Sequence, residues 1–344
     1  RSTQAKTLFP YTTLFRSMMY PFKETIESLF GFCDEVCVLD SSDIDDGTRV
    51  ELEKISSRNS KLKIKHIDLD WKAPNHGIFD GETKQLAREM CTGQFLWQSD
   101  IDEIVHEDYY LKIPKLIENV GENWKKAPIL SLPIVEFWGS GGKVRIDINS
   151  WKWRLSVNSP VISHGIPKEL RKINKENGLL YAMQGTDTCD YIHKVTKERL
   201  PFLNIVTNES EKLRLDGLKG SIVSLKLYEN FINKTMEEVP TVFHYSWFNI
   251  ERKINQYKLF WTDFWKSMYD EDRDEKTNPF FNGMLWSEVS DELIKEKANL
   301  LEQKTGGHIF HSPWNGTSTP SIKITKQHPT IMKEWILKYE NYNK

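Results

Sequence analysis

The apolar positions in the first hundred residues alternate between two patterns. Some windows have the 3.6-residue period of an amphipathic helix, and the short apolar runs between them are typical of strands. Helices are predicted over 20–32, 48–58 and 81–92, and strands over 35–40, 62–69 and 94–99. This repeated alternation predicts an α/β fold, a three-layer α/β/α sandwich with a mainly parallel sheet.

The pattern changes in the second half of the chain. Aromatic and β-branched runs at 129–138 and 150–155 predict two further strands. From about residue 249, apolar and aromatic positions return at helical spacing, and a last helix is predicted over 330–341. We therefore predict an α/β domain over 18–248 and a helical C-terminal extension over 249–344.

Composition excludes several classes of protein. The chain has 344 residues and a net charge of −2, so no broad basic field indicates nucleic-acid binding. No run of about 18 apolar residues predicts a transmembrane segment, although peripheral association with a membrane is compatible with the sequence. The four cysteines have neither metal-site spacing nor a disulfide framework, which favours buried free thiols and a cytoplasmic location. They are Cys33, Cys37, Cys91 and Cys189.

The strand predicted at 94–99 ends abruptly in the acidic side chains Asp100, Asp102 and Glu103. In an open α/β sheet, ligands bind at the carboxyl ends of the strands. Carboxylates there suit Mg²⁺ or Mn²⁺, and a cation held by one or two of them keeps positions open for phosphate oxygens. An Asp-x-Asp pair alone is a weak indication, because most such pairs are solvated loop acids.

The sequence before these acids makes the pattern more specific. Lys84 and Arg88 are four residues apart and share one face of the predicted helix, and Gly93 is placed to end it. A helix, a glycine, an apolar strand and then Asp100-x-Asp102-Glu resembles the centre of family-2 glycosyltransferases of the GT-A fold.

A second block supports the same resemblance. A strand that ends at Asp40 is followed by a Ser- and Asp-rich loop that ends in Asp46-Gly47-Thr48. This block is similar to the second strand and following loop of the family, with residues 43–45 as a short insertion. A plain turn rich in Asp and Ser is the alternative interpretation. The two blocks lie in the order and at the spacing of the family, and the resemblance covers about residues 20–110.

The resemblance implies a GT-A-like glycosyltransferase, with a donor half to about residue 127 and an acceptor half after it. It implies a nucleotide-sugar donor, a glycan or lipid-linked acceptor, Mn²⁺ or Mg²⁺ as cofactor, and a role in cell-surface glycan synthesis. Late in many GT-A enzymes a histidine completes the metal or diphosphate shell, and the run Val242–Trp247 looks like that element. The implied donor-binding residues are Asp40, Asp46, Lys84 and Asp100, and the implied metal ligands are Asp100, Asp102 and His244.

The catalytic base is less defined. An inverting transferase needs a carboxylate as general base on the acceptor hydroxyl. The late Glu-Asp motif of the family is not recognisable here, so Asp187 and Asp190 are the candidates and the stereochemical outcome stays open. A structural histidine is the alternative role for His244. The segment 163–167 fits either a plain turn, which is favoured, or an acceptor or diphosphate loop.

The N-terminal segment has a different character. Residues 7–17 resemble the in-frame translation of a sequencing adapter, so we expect residues 1–17 to be foreign to the protein. The family-like sequence begins at about Tyr20, in the helix after the first strand of the family. We therefore expect that strand to be replaced, which is compatible with an inactive chain. A natural leader is the alternative, but the segment lacks the apolar core and cleavage site of a signal peptide.

Two other functions remain open. A nucleotidyltransferase has a similar sheet and a metal-binding acid, but requires a glycine-rich basic loop after its first strand. A non-catalytic carbohydrate-binding protein could keep a degenerate site, although Asp40, Lys84, Asp100 and Asp102 are all present. Twelve tryptophans favour a carbohydrate ligand only weakly, since core packing explains most aromatic residues equally well.

Overall fold

The helices and strands follow one another along most of the chain. The computed structural model describes residues 5–9, 19–41, 46–67, 76–140, 142–148, 151–164, 171–173, 180–182, 191–196, 198–269, 278, 280–281, 283–303 and 321–342. The helices are α1 (Phe22–Phe30), α2 (Thr48–Arg58), α3 (His76–Met90), α4 (Lys112–Val120), α5 (Asn208–Leu218), α6 (Ile222–Glu238), α7 (Ile250–Tyr269), α8 (Asp291–Gln303) and α9 (Lys333–Tyr342). The strands are β1 (Ala5–Phe9), β2 (Cys33–Asp40), β3 (Leu62–His66), β4 (Phe95–Gln98), β5 (Glu103–Val105), β6 (Ile129–Trp138), β7 (Lys143–Arg145), β8 (Trp151–Val157), β9 (Ile162–His164), β10 (Arg171–Ile173), β11 (Leu180–Ala182), β12 (Tyr191–His193), β13 (Phe202–Asn204), β14 (Val242–Trp247) and β15 (Ser321–Lys323).

Eleven of these strands form one sheet, whose main path is β15-β7-β6-β8-β4-β1-β2-β3. Strands β3, β2, β1 and β4 are parallel, so β2 and β4 end on the same edge of the sheet. The structure thus confirms the predicted α/β arrangement, in which Asp40 and Asp100 lie at the carboxyl ends of nearby strands.

The sheet is mixed, and the prediction of a mainly parallel sheet was wrong. Strand β8 runs antiparallel to both of its neighbours, β4 and β6, and β7 and β15 add further antiparallel pairs. Parallel neighbours need a long crossover, whereas antiparallel neighbours can be joined by short turns. The chain after β6 turns at Gly139 and Gly142, whose φ angles of 65° and 68° favour glycine, and it returns to the sheet without a helix.

Strand β1 occupies the centre of the parallel part of the sheet. Its backbone pairs with β2 on one side and with β4 on the other, and Leu8 is in register with Cys37 and Gln98. The segment that we interpret as foreign therefore contributes the strand between the two strands that end in acidic residues.

The C-terminal residues pack closely against the sheet. Strand β15 pairs with β7, and Met332 and Trp335 belong to the same apolar core as β6 and β14. A second core joins α7 and α8 to the sheet through Trp138 and Trp247, whose rings stack with centroids 5.2 Å apart. This packing fixes the N-terminal end of α7 beside the carboxyl end of β14.

Two predictions from composition can be compared with the structure. Cys33, Cys37 and Cys91 are buried free thiols, as predicted, and Cys189 lies outside the described residues. Within the described part of the chain, every helix is too short or too polar to traverse a lipid bilayer.

Candidate functional site

The acidic turn after β4 is the centre of the candidate site. It connects β4 to β5, and it is closed by a 3.2 Å hydrogen bond from the Glu103 backbone N–H to the Asp100 carbonyl. The backbone N–H of Tyr245 donates to the Asp102 carbonyl over 2.8 Å, which ties the turn to β14. The backbone of the turn is thereby held in place between β4 and β14. This fixes the backbone that carries Asp100, Asp102 and Glu103.

Arg154 on β8 binds two of these carboxylates. Its Nε donates to Glu103 Oε2 over 2.7 Å, and its Nη2 donates to Glu103 Oε1 and, over 2.8 Å, to Asp100 Oδ2. The Arg154 and Glu103 side chains are each only 1% exposed. A paired arrangement of this kind is the usual way to bury two charges, because an isolated buried charge is strongly unfavourable.

Two lysines complete the shell around the turn. Lys84 Nζ on α3 lies 3.8 Å from Asp100 Oδ1, and Lys152 Nζ on β8 lies 3.7 Å from Glu103 Oε1. Burial raises the pKa of Asp100, but the charges of Arg154, Lys84 and Lys152 outweigh it and hold that pKa well below its ordinary value. Asp100 is therefore a carboxylate surrounded by cations.

His244 lies next to Asp102, as the resemblance implied. Strand β14 pairs with β5 and β6 in a register that puts His244 opposite Glu103 and Glu136, and cross-strand partners share a face of the sheet. His244 Nε2 is 3.2 Å from Asp102 Oδ1. His244 Nδ1 is 3.5 Å from Glu136 Oε1, and it is buried without a hydrogen-bond partner among the described residues.

The charges around His244 affect the protonation of both partners. Burial lowers the pKa of His244, but Asp102 and Glu136 outweigh it and raise that pKa above its ordinary value. Burial raises the pKa of Asp102, yet the His244 charge and hydrogen bond lower it to about 2. Asp102 is therefore ionised at neutral pH.

Asp40 and Asp46 have different surroundings. Asp40 is fully buried, and its Oδ2 lies 2.6 Å from His66 Nδ1 and 3.2 Å from Arg49 Nε. Asp46 lies just before α2, and its carboxylate accepts hydrogen bonds from the Thr48 backbone N–H over 2.7 Å and from the Thr48 hydroxyl over 2.8 Å. Both residues lie on the edge of the sheet that also carries the acidic turn, but Asp46 has a clear structural role.

Two cations at the start of α7 were not predicted as site residues. Lys253 Nζ lies 5.7 Å from the ring centroids of both Trp247 and Tyr257. Burial lowers the pKa of Lys253 to about 8, although the charge of Asp102 partly offsets that effect. Arg252 is buried, stacks over the Tyr20 ring at 4.4 Å, and donates from Nη2 to the carbonyls of residues 245 and 246.

Sequence patterns could have identified some of these residues. Lys152 and Arg154 alternate with tryptophans along β8, and this period-2 spacing puts both cations on one face. Glu136 is the acidic residue in an otherwise apolar and aromatic run, which is unusual for a buried strand. The spacing of Lys152 and Arg154 and the position of Glu136 can be read from the sequence. Only the pairing of β8 with β4 and of β6 with β14 shows that these residues lie near the acidic turn.

The predicted residues are only partly brought together. Asp100 contacts Lys84, and Asp102 contacts His244, but these acids and His244 do not bring three ligand atoms within 4.8 Å of one another. Among the described residues, that close grouping occurs at Glu35, Cys37 and Cys91. The remaining candidates lie outside the described residues: Asp187, Asp190 and residues 165–167 of the candidate diphosphate loop.

The buried group of Glu35, Cys37 and Cys91 is stabilised within the protein. Glu35 Oε1 accepts a 2.6 Å hydrogen bond from the Thr92 backbone N–H, and Oε2 pairs with Lys63. Burial and a hydrogen bond with Cys37 raise the pKa of Cys91, which keeps it a neutral thiol. Both carboxylate oxygens are therefore already in use by protein groups.

Comparison with solved structures finds similarity to S. aureus TarS. The structure of TarS residues 1–349 in complex with UDP aligns with a TM-score of 0.35 and 14% identity, over 88% of this chain and 90% of that chain. The complex with UDP-GlcNAc aligns with a TM-score of 0.34 and 13% identity, over 93% and 99%. No protein-family model and no curated protein matches the sequence. Since these TM-scores are low, the fold and site assignments rest on the strand order and contacts described above.

Proposed function

We propose that this protein is a glycosyltransferase that moves a sugar from a nucleoside-diphosphate donor to a hydroxyl group of a glycan or lipid-linked acceptor. The main support is the shared sheet edge at which β2 ends in Asp40 and β4 ends in Asp100 and Asp102. In open α/β sheets this edge is where nucleotides bind. The motif resemblance and the geometry thus favour the same site.

The donor half supplies both acids and fixed cations for this role. We propose that Asp40 and Asp46 contact the nucleoside, and that Lys84 contacts the diphosphate. Lys84 is buried beside Asp100, which limits the movement of its charge. A preorganised cation stabilises negative charge on a leaving group better than a mobile one, because less reorganisation accompanies the reaction.

The residues around Asp102 fit a hard divalent cation. Asp102 offers a carboxylate that is ionised at neutral pH, and His244 directs its Nε2 to within 3.2 Å of Asp102 Oδ1, so an imidazole nitrogen and a carboxylate oxygen face each other. We propose that Asp102 and His244 hold Mn²⁺ or Mg²⁺, with Asp100 beside them. When bound, this cation would supply Lewis-acid stabilisation of the diphosphate leaving group.

The acceptor step needs a base. We propose that Asp187 or Asp190 accepts the proton of the attacking hydroxyl. The bond from the sugar to the diphosphate breaks as the bond to the acceptor oxygen forms, and the diphosphate leaves with the bonding electrons. A carboxylate base in hydrogen-bond contact with the hydroxyl is the usual solution for this reaction class.

The proposed function can be tested by a donor screen with the Asp102→Asn variant in a chain with its authentic N-terminus. Thermal shift with UDP-, GDP-, CDP- and dTDP-sugars, with and without Mn²⁺, would identify the donor, and release of the nucleoside diphosphate would measure turnover. Because asparagine keeps the shape and removes the charge, Asp102→Asn should lose cation-dependent donor binding and turnover while it stays folded.

A matched control is Asp291→Asn, which makes the same change at an exposed carboxylate of α8. This variant should bind and turn over donor like the wild type. Equal turnover with and without the cation, or an unaffected Asp102→Asn variant, would instead indicate a cation-independent transferase. Sugar binding without turnover in a chain with its authentic N-terminus would indicate a carbohydrate-binding protein.

A further inference from the structure

The N-terminal turn of α7 has two cations where a helix normally favours acids. Arg252 and Lys253 are the third and fourth residues of this 20-residue helix. The aligned peptide dipoles give a helix N-terminus a partial positive charge, so adjacent cations are unfavourable there unless an anion is present. Glu251 is the acid of the same turn, so the first turn of α7 carries two cations and one acid.

Arg252 has hydrogen-bonding capacity that the described residues do not use. Its side chain is 6% exposed, and its Nη2 donates to two backbone carbonyls at the end of β14. Its Nε and Nη1 are buried without a hydrogen-bond partner in the described part of the structure. Buried donors are normally satisfied, and an unsatisfied guanidinium is an exception that a bound anion would explain.

Lys253 is similarly placed for an anion. Its described contacts are the faces of Trp247 and Tyr257, which attract a cation but leave its three N–H donors unused. Its side chain is partly exposed, so a ligand can reach it. The start of α7 lies beside the acidic turn, because the Tyr245 backbone N–H donates to the Asp102 carbonyl and the Tyr245 carbonyl accepts from Arg252 Nη2.

We infer that Arg252 and Lys253 form an anion-binding site beside Asp102, and that this site takes the diphosphate group of the donor. The inference rests on the proposed function for the identity of the ligand. Arg252 would donate from Nε and Nη1, and Lys253 would donate from Nζ, in addition to the contact proposed for Lys84. The two cations would bind and position the leaving group next to the Asp102–His244 pair.

Inorganic pyrophosphate is a suitable probe, because it contains the diphosphate without nucleoside or sugar. Calorimetric titration of the full chain, with and without Mg²⁺, would compare the wild type with Lys253→Gln and Arg252→Gln. Loss of a charge-assisted contact should weaken pyrophosphate binding about tenfold or more in each variant. The control Lys234→Gln removes the same charge from an exposed position on α6, and should bind like the wild type.

Arg252 is buried, so its variant could fail to fold for structural reasons. Lys253→Gln, at a partly exposed position, then decides the test, with circular dichroism to verify the fold. The inference is overturned if wild-type protein does not bind pyrophosphate, if Lys253→Gln binds it as the wild type does, or if Lys234→Gln weakens binding equally.

The same titrations separate this inference from the proposed function. If Lys253-dependent pyrophosphate binding occurs but no nucleotide sugar binds or turns over in a chain with its authentic N-terminus, the anion site stands and the glycosyltransferase proposal falls. If donor turnover occurs but pyrophosphate binding does not depend on Lys253, the proposed function stands and the anion site falls.

Discussion

Arg154→Met is the most informative stability test of the candidate site. The guanidinium binds both oxygens of Glu103 and one oxygen of Asp100, and both members of the Arg154–Glu103 pair are almost fully buried. Methionine keeps much of the volume and removes the charge. The change should therefore leave Glu103 as a buried carboxylate without its main partner.

The magnitude follows from what remains around the carboxylates. Breaking a buried ion pair by removal of one partner costs about 3–5 kcal/mol. Lys152 still lies 3.7 Å from Glu103, and Asp100 is 28% exposed and keeps Lys84. We therefore expect a loss near the lower end of that range, about 3 kcal/mol in the free energy of unfolding.

The double variant Arg154→Met/Glu103→Leu provides the decisive comparison. It removes both charges, and replacement of a buried pair by apolar residues is often neutral, so it should recover most of the lost stability. Urea unfolding followed by tryptophan fluorescence and circular dichroism would measure both variants. Lys125→Met is the control, because Lys125 pairs with Glu122 at an exposed site and should have little effect. A single variant as stable as the wild type, or a double variant no more stable than the single, would refute this account.

Two further predictions concern other parts of the site. Asp46→Ala should lower the free energy of unfolding by about 1 kcal/mol because it removes the hydrogen bonds to Thr48 at the start of α2, whereas Asp46→Asn keeps the Oδ1 acceptor and should retain most of that stability, and urea unfolding distinguishes the two. The raised pKa of His244 means that its charged form stabilises the folded state below its ordinary pKa of 6.5, and that this contribution is lost as pH rises through the raised value. The difference in unfolding free energy between wild type and His244→Gln should therefore decrease as pH rises above the ordinary histidine pKa of about 6.5, and a constant difference would contradict the assigned charge.

Elements with a strong local pattern could be predicted from the sequence. Helix α2 was predicted over 48–58 and spans Thr48–Arg58, and the acidic ends of β2 and β4 lie on one sheet edge as expected. These features depend on periodicity and on the rule that parallel strands end together, both of which are readable in a short window of sequence.

Features that depend on long-range pairing could not be predicted in the same way. Arg154 is 54 residues from Asp100, and only the pairing of β8 with β4 brings the two side chains together. The antiparallel direction of β8 could not be predicted either. Periodicity indicates that a segment is a strand, but not whether it is parallel or antiparallel to its neighbours. Arg252 and Lys253 lie in a segment of helical spacing, and only the packing of α7 beside β14 shows that they belong to its first turn.

The position of β1 has a consequence for how the sheet could be assembled. It pairs by backbone groups with β2 and β4, and these two strands carry Asp40 and Asp100 at their ends. Removal of residues 1–17 would leave an open groove one strand wide, with backbone donors and acceptors along both walls. Such edges accept an added strand with limited dependence on its side chains. A short synthetic peptide that binds in this groove would restore the sheet. The distance between Asp40 and Asp100 would then depend on whether the peptide is bound.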